Sequence, residues 1–153
     1  MDSPAAAGAR VDSALGTTAA TAHAERMGWL LAGYLVVLAA VDARTGRLPN
    51  VLIGPLLGAS ALVIAAAPAV GLAALTATVP YLIGFRARGC GGGDVKLAVG
   101  CGALLAVPAS ALLAVATAAL LTLAQCRVTG RSAVPHAPAL VAATIGWWLV
   151  GLG

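Results

Sequence analysis

Beyond residue 26 this chain is nearly devoid of acids: only Asp42 and Asp94 remain in 127 residues. Cysteine is equally scarce, three residues without a CxxC pair, which argues against a disulfide scaffold or a cysteine zinc site. The two histidines stand 113 positions apart, so a His-rich metal centre is not expected either, and no cofactor signature is present. Charged residues of both signs make up 9% of the chain, against about 25% in ordinary soluble domains. A net charge of +4 would suit nucleic acid if the basic residues formed a face, but they fall between hydrophobic runs, so no nucleic-acid partner is expected.

What is abundant is apolar surface. Hydrophobic residues form 61% of the sequence and the mean hydropathy is +0.99. Apolar runs at about 27–43, 51–67, 69–86, 92–107, 109–126 and 137–152 are separated by short polar or Pro/Gly stretches. Each falls a little short of the roughly 20 residues that span a bilayer. The expected fold is all-α, a polytopic membrane protein of six transmembrane helices, with Pro68 and Pro108 marking two uncharged turns. Small residues such as Gly54 and Gly58 are expected to let helices pack closely.

Residues 1–26 differ in composition, rich in Ala, Ser, Thr and Gly, and hold Asp2, Asp12 and Glu25. They read as a disordered tail or as sequence upstream of a true start at Met27, with residues 27–153 forming the membrane domain. A basic start followed by a short apolar run is missing, so a cleavable secretory signal is not expected. Arg44, Arg47, Arg86, Arg88, Lys96, Arg127 and Arg131 all fall on one side of a six-segment bundle. The positive-inside rule makes that side cytoplasmic and both termini extracytoplasmic. The same basic face suits anionic lipid headgroups.

The two remaining acids are informative by depth. Asp42 lies 16 residues from Arg26, about 24 Å along a helix, and Asp94 lies 14 residues from Pro108, about 21 Å. In a hydrocarbon core about 30 Å thick, both carboxylates come to similar depth just under the cytoplasmic interface. Ionisable groups at that depth are costly and usually line a wet, functional cavity. Two carboxylates facing one cavity share a proton and titrate as a pair. The ionised member can take a proton from water attacking an amide carbon, while the protonated member polarises the carbonyl and protonates the leaving amine. That chemistry needs no metal. Asp42 near a helix C-terminus and Asp94 at a helix start place the shared proton on Asp42.

The residues around each Asp resemble a known family. Asp42-Ala-Arg-Thr-Gly-Arg-Leu-Pro-Asn50 resembles the Asp-x5-Ile-Pro-Asn signature of type IV prepilin peptidases, with Leu48 in place of Ile. Gly91-Gly-Gly-Asp94-Val-Lys96 matches their GxGDxK signature, whose GxGD core is shared with preflagellin peptidases and presenilin-like proteases. Pro135-His-Ala-Pro138 is similar to their Pro-Phe-Gly-Pro, with His136 and Ala137 as departures. The resemblance covers about residues 28–150. It implies Asp42 and Asp94 as the catalytic pair, and Gly91 and Gly93 as bare backbone admitting an unwound substrate strand. It also implies Pro49 at the start of segment 2, Asn50 bonding near the Asp42 loop, and Lys96 at the interface or tuning Asp94. The implied substrates are prepilin or pseudopilin precursors, cut at the cytoplasmic face of the inner membrane between a short basic leader and an apolar helix. The larger members' cysteine-bearing insert is missing, so the resemblance is to a peptidase-only form without methyltransferase activity.

Two other readings use the same residues. A small proton-coupled carrier would also bury two acids, but no repeated half or broken-helix pair is visible. A non-cleaving assembly partner would keep the helices without the chemistry. His136 reads as a polar loop residue, and Cys90, Cys101 and Cys126 as small apolar fillers. Trp147 and Trp148 read as interfacial anchors.

Overall fold

The computed structural model describes the backbone over residues 4–131 and 134–151, and side chains from residue 25 onward within those limits. Among the described residues all regular structure is helical: α1 (Pro4–Thr45), α2 (Asn50–Ala66), α3 (Pro68–Arg86), α4 (Gly92–Leu105), α5 (Pro108–Thr129) and α6 (Ala137–Gly151). The six apolar runs correspond to these helices. The exception in bounds is α1, whose helical backbone begins well before residue 27. The expected tail over residues 1–26 falls almost wholly outside the residues whose side chains are described. The chain divides into two units, Met1–Leu31 and Ala32–Gly153. In the first, Met27, Trp29 and Leu30 are exposed. Everything below concerns the second.

Helix boundaries follow local chemistry. Pro68 and Pro108 occupy the first turns of α3 and α5, where a missing N–H costs nothing. Pro49 sits one residue ahead of α2, in extended geometry, and its carbonyl accepts the Leu52 N–H at 3.0 Å. Gly46 (φ 63°) stops α1 in the left-handed region, with its N–H on the Asp42 carbonyl at 2.8 Å. Gly130 (φ 66°) stops α5 in the same way.

Among the described residues three stretches are long and apolar enough to cross a membrane: Glu25–Thr45, Pro68–Arg86 and Pro108–Thr129. Asn50–Ala66 and Ala137–Gly151 are apolar but shorter. Many large side chains on these helices face outward, among them Leu62, Leu72, Ile83, Leu120 and Val150. An exterior this apolar belongs in lipid rather than in water.

α4 is the hub. It packs against α2, α3, α5 and α6, and is buried continuously from Gly100 to Leu105. Its close approach depends on two glycines. A Cβ at Gly102 would lie 2.6 Å from both the Ala73 carbonyl oxygen and the Ala74 Cα, and one at Gly100 would lie 2.6 Å from Leu56 Cδ1. The expectation that Gly54 and Gly58 serve close packing is not met: both are exposed, with nothing within 4 Å of an added Cβ. The small residues that bring helices together are on α4 instead. Among the described residues alanine supplies thirteen of the twenty-five buried apolar ones, including the stripe Ala111, Ala114, Ala118 along α5.

Candidate active site

Asp42 stands in the last turn of α1, immediately before the helix is stopped by Gly46. Its side chain is 6% exposed. The backbone N–H of Ala137, the first residue of α6, acts on it electrostatically. Asp94 is in the first turn of α4, where its Oδ2 accepts the Gly91 N–H at 3.2 Å. This is one half of a capping box: Gly91, at the N-cap, has no side chain to return the bond. Each carboxylate therefore has an N–H of a helix start acting on it.

Both aspartates line a single cavity of about 450 Å³. Gly46 and Gly91 form part of its wall, together with Tyr81 from α3, Cys90 from the α3–α4 turn, Thr122 and Cys126 from α5, and His136 from the loop before α6. The turn carrying Cys90 is compact. The Gly89 N–H reaches back to the Gly84 carbonyl at 2.8 Å with Arg88 left-handed at φ 58°, a Schellman-type stop without the usual glycine. The Cys90 thiol donates to the Tyr81 carbonyl at 3.1 Å. Burial, and then the facing Asp94, push that thiol above its usual range.

The other residues picked out from sequence, apart from Gly91, lie where the start of α4 meets the α1–α2 loop and the start of α2. Lys96 Nζ donates to Asn50 Oδ1 at 2.7 Å, tying α4 to the start of α2 and so to the loop that follows Asp42. Lys96 thus has a defined partner, and Asn50 bonds to it. Pro49 precedes this contact as an N-cap rather than as a first-turn residue. At Gly93 an added Cβ would lie 3.2 Å from Leu48 Cβ, so this glycine lets the α1–α2 loop press onto α4. At Gly91 the nearest neighbour of an added Cβ would be Asp94 Oδ2 at 3.6 Å, an ordinary contact. Gly91 leaves open space at the cavity wall.

Sequence reasoning missed Tyr81, Thr122 and His136. His136 lies between the other two, with Nε2 2.6 Å from Tyr81 Oη and Nδ1 2.6 Å from Thr122 Oγ1. Its carbonyl accepts the Leu140 N–H, so it also caps α6. It is a wall of the cavity, not a bystander in a loop. The available signal was its departure from the Pro-Phe-Gly-Pro pattern, one residue before the helix that reaches Asp42. Gly46 carried a clearer signal, a glycine four residues past Asp42 where a helix had to end.

No curated protein and no solved structure matches this chain. The family model described as type IV leader peptidase matches residues 29–126, which takes in α2, α3 and α4, both aspartates, and the loops that carry them. That match covers well over half of the sequence, and the chain belongs to the type IV leader peptidase family.

Proposed function

We propose that this chain is a membrane-embedded aspartyl endopeptidase that removes the short basic leader of prepilin- or pseudopilin-like precursors, using Asp42 and Asp94 to activate water. One observation carries the reading: carboxylates 52 residues apart in sequence, on α1 and α4, open into the same cavity in a member of a leader peptidase family. The ionised carboxylate of the pair takes a proton from a water molecule as its oxygen adds to the scissile carbonyl carbon. The protonated carboxyl gives its proton to the carbonyl oxygen, forming a neutral gem-diol. Collapse of that intermediate returns one proton to a carboxylate and delivers another to the leaving nitrogen, which departs as the amine. The pair ends with one proton, as it began.

In this reading the six helices cross the inner membrane with both termini outside, and the cavity opens to the cytoplasm among Arg44, Arg47, Arg86 and Arg88. Anionic lipid headgroups gather at that face, and they hold a basic leader that the protein's own charge would repel. The test is leader cleavage in membranes, with a tagged prepilin co-expressed with wild type, Asp42→Asn or Asp94→Asn. Cleavage by wild type that is abolished by each change at equal protein level supports the two-aspartate mechanism. Cleavage surviving either change refutes it. A carrier would instead show pH-dependent uptake that these substitutions remove, with no leader processing.

A further inference from the structure

His136 is the only histidine among the residues whose side chains are described, and it faces titratable groups from every element around the cavity. Asp42 comes from α1, Tyr81 from α3, Cys90 from the α3–α4 turn, Asp94 from α4, and Cys126 from α5. The hydrogen bonds around its ring run in one direction. Thr122 Oγ1 has two partners for its single hydroxyl hydrogen, the Ala118 carbonyl at 2.9 Å and Nδ1 at 2.6 Å; given to the carbonyl, as in a helical Thr back-bond, it leaves Thr122 an acceptor towards His136. In that arrangement Nδ1 carries the hydrogen. In the neutral ring Nε2 is then a bare acceptor, and the Tyr81 hydroxyl donates to it at 2.6 Å. The imidazole is wedged between α3 and α5, in tilted contact with the Tyr81 ring at a centroid distance of 5.3 Å. The very next residue, Ala137, opens α6 and supplies the N–H that acts on Asp42.

We propose that His136 is a positioning residue for the carboxylate pair: held as the neutral Nδ1–H tautomer between Tyr81 and Thr122, it aims the first N–H of α6 at Asp42, and its protonation switches the pair off. This rests on the two-aspartate reading above. The positioning part follows from connectivity, because the ring bonds fix the residue whose peptide leads directly into the Ala137 N–H. The switch follows from charge. An imidazolium in this cavity faces both Asp42 and Asp94, and it stabilises the ionised member of the pair. The pair keeps its one proton, but its ionised member is a weaker base towards water, and the doubly protonated ring no longer offers Tyr81 an acceptor. Burial holds the imidazole below its usual range while the facing Asp94 and Asp42 pull the other way, so the neutral ring prevails near pH 7 and the charged ring is reached on acidification.

A definite consequence follows for the acidic limb of the pH profile. In wild type the next proton inactivates the enzyme whether it lands on His136 or on the ionised carboxylate. Two sites competing for an inactivating proton always titrate at a higher pH than one of them alone. Removing the histidine charge while keeping its hydrogen bonds must therefore move the acidic midpoint down.

The experiment compares wild type, His136→Gln and His136→Leu for leader cleavage across pH, with monodispersity and thermal unfolding as the check on folding. Gln can accept from Tyr81 and donate to Thr122 without ever becoming charged. It is expected to retain more kcat than His136→Leu at pH 7 and to shift the acidic midpoint to lower pH. Leu keeps the bulk but neither bond, and is expected to lower kcat by roughly 10–100-fold with KM little changed, as misplacement by about 1 Å does. An unshifted acidic limb in His136→Gln, or a folded but inactive His136→Gln, overturns the proposal. So does wild-type kcat in His136→Leu. A measurement needing no variant at His136 is ¹⁵N NMR of a His23→Gln protein labelled at histidine. The neutral Nδ1–H tautomer is expected at pH 7, and an Nε2–H tautomer or a charged ring overturns the assignment. If Asp42→Asn and Asp94→Asn abolish cleavage while the His136 variants behave as wild type, this inference fails and the peptidase reading stands.

Discussion

Gly102→Ala is the smallest change that tests whether helix contact at one end of α4 sets the geometry at the other. The added Cβ would sit 2.6 Å from the Ala73 carbonyl oxygen and 2.6 Å from the Ala74 Cα, both backbone atoms that no rotamer change can move. Relief requires α3 and α4 to part locally by about 1 Å, the gap between this distance and carbon–carbon contact of roughly 3.5 Å. Overpacking of this kind costs about 1–3 kcal/mol. Gly102 lies eight residues beyond Asp94, and Ala73 lies eight before Tyr81. Both separations are about 12 Å of helix, so the strain is applied one lever-length from the cavity on each helix. Cleavage by Gly102→Ala is expected to fall by up to about 100-fold, with an earlier thermal midpoint in detergent. Two controls order the effect. At Gly100 the obstructing atoms are the tip of Leu56, which can shift, so Gly100→Ala is expected to cost less. At Gly54 nothing lies within 4 Å, and alanine gains about 1 kcal/mol of helix propensity, so Gly54→Ala is expected to be neutral or stabilising. If Gly102→Ala and Gly54→Ala unfold at the same temperature, the close approach of α3 and α4 is wrong.

Three further outcomes can be checked by cleavage or labelling. Lys96→Met removes the 2.7 Å bond to Asn50, and because that bond is at the surface, cleavage is expected to fall only a few-fold, with Asn50→Ala no worse and the double change equal to either alone. Gly46→Ala forces a side chain into φ 63° at a cost of about 1–2 kcal/mol and should loosen the end of α1 that carries Asp42, whereas Gly46→Asn is expected to be milder. In a protein whose sole cysteine is Cys90, maleimide labelling should be slower than for a free thiol at pH 8. Asp94→Asn should accelerate it, since removing a facing negative charge lowers the thiol pKa and enlarges the thiolate fraction at fixed pH; an unchanged rate would show that Asp94 does not face Cys90.

The helices and the two acids were legible because each rests on a local pattern. Apolar runs broken by Pro68 and Pro108 yield helices whatever they pack against, and a lone Asp at the end of such a run stands out by its cost. The His136 arrangement was not legible, since it needs α3, α5 and the start of α6 to meet, and no spacing along the chain encodes that meeting. Gly54 and Gly58 mislead for a related reason. Four-residue spacing puts two glycines on one face of a helix but does not say whether that face meets a neighbour. Gly100 and Gly102, spaced by two, look unremarkable as a motif, yet each allows a different helix to approach, α2 at one and α3 at the other. Asn50 and Lys96 became a pair only once α2 lay beside α4.

An interior built half from alanine makes the mutational landscape one-sided. A leucine core fails mainly by losing volume, and its commonest lesion is a cavity. Here the buried faces of α3 and α5, set by Ala73, Ala77, Ala111, Ala114 and Ala118, have almost nothing to lose, so random change at these sites nearly always adds atoms where helix backbones already touch. Variation in such a protein is channelled outward to the lipid-facing side chains, where bulk is free to change. A library targeting Leu62, Leu72 and Leu120 should therefore retain activity far more often than one of equal size directed at the alanines.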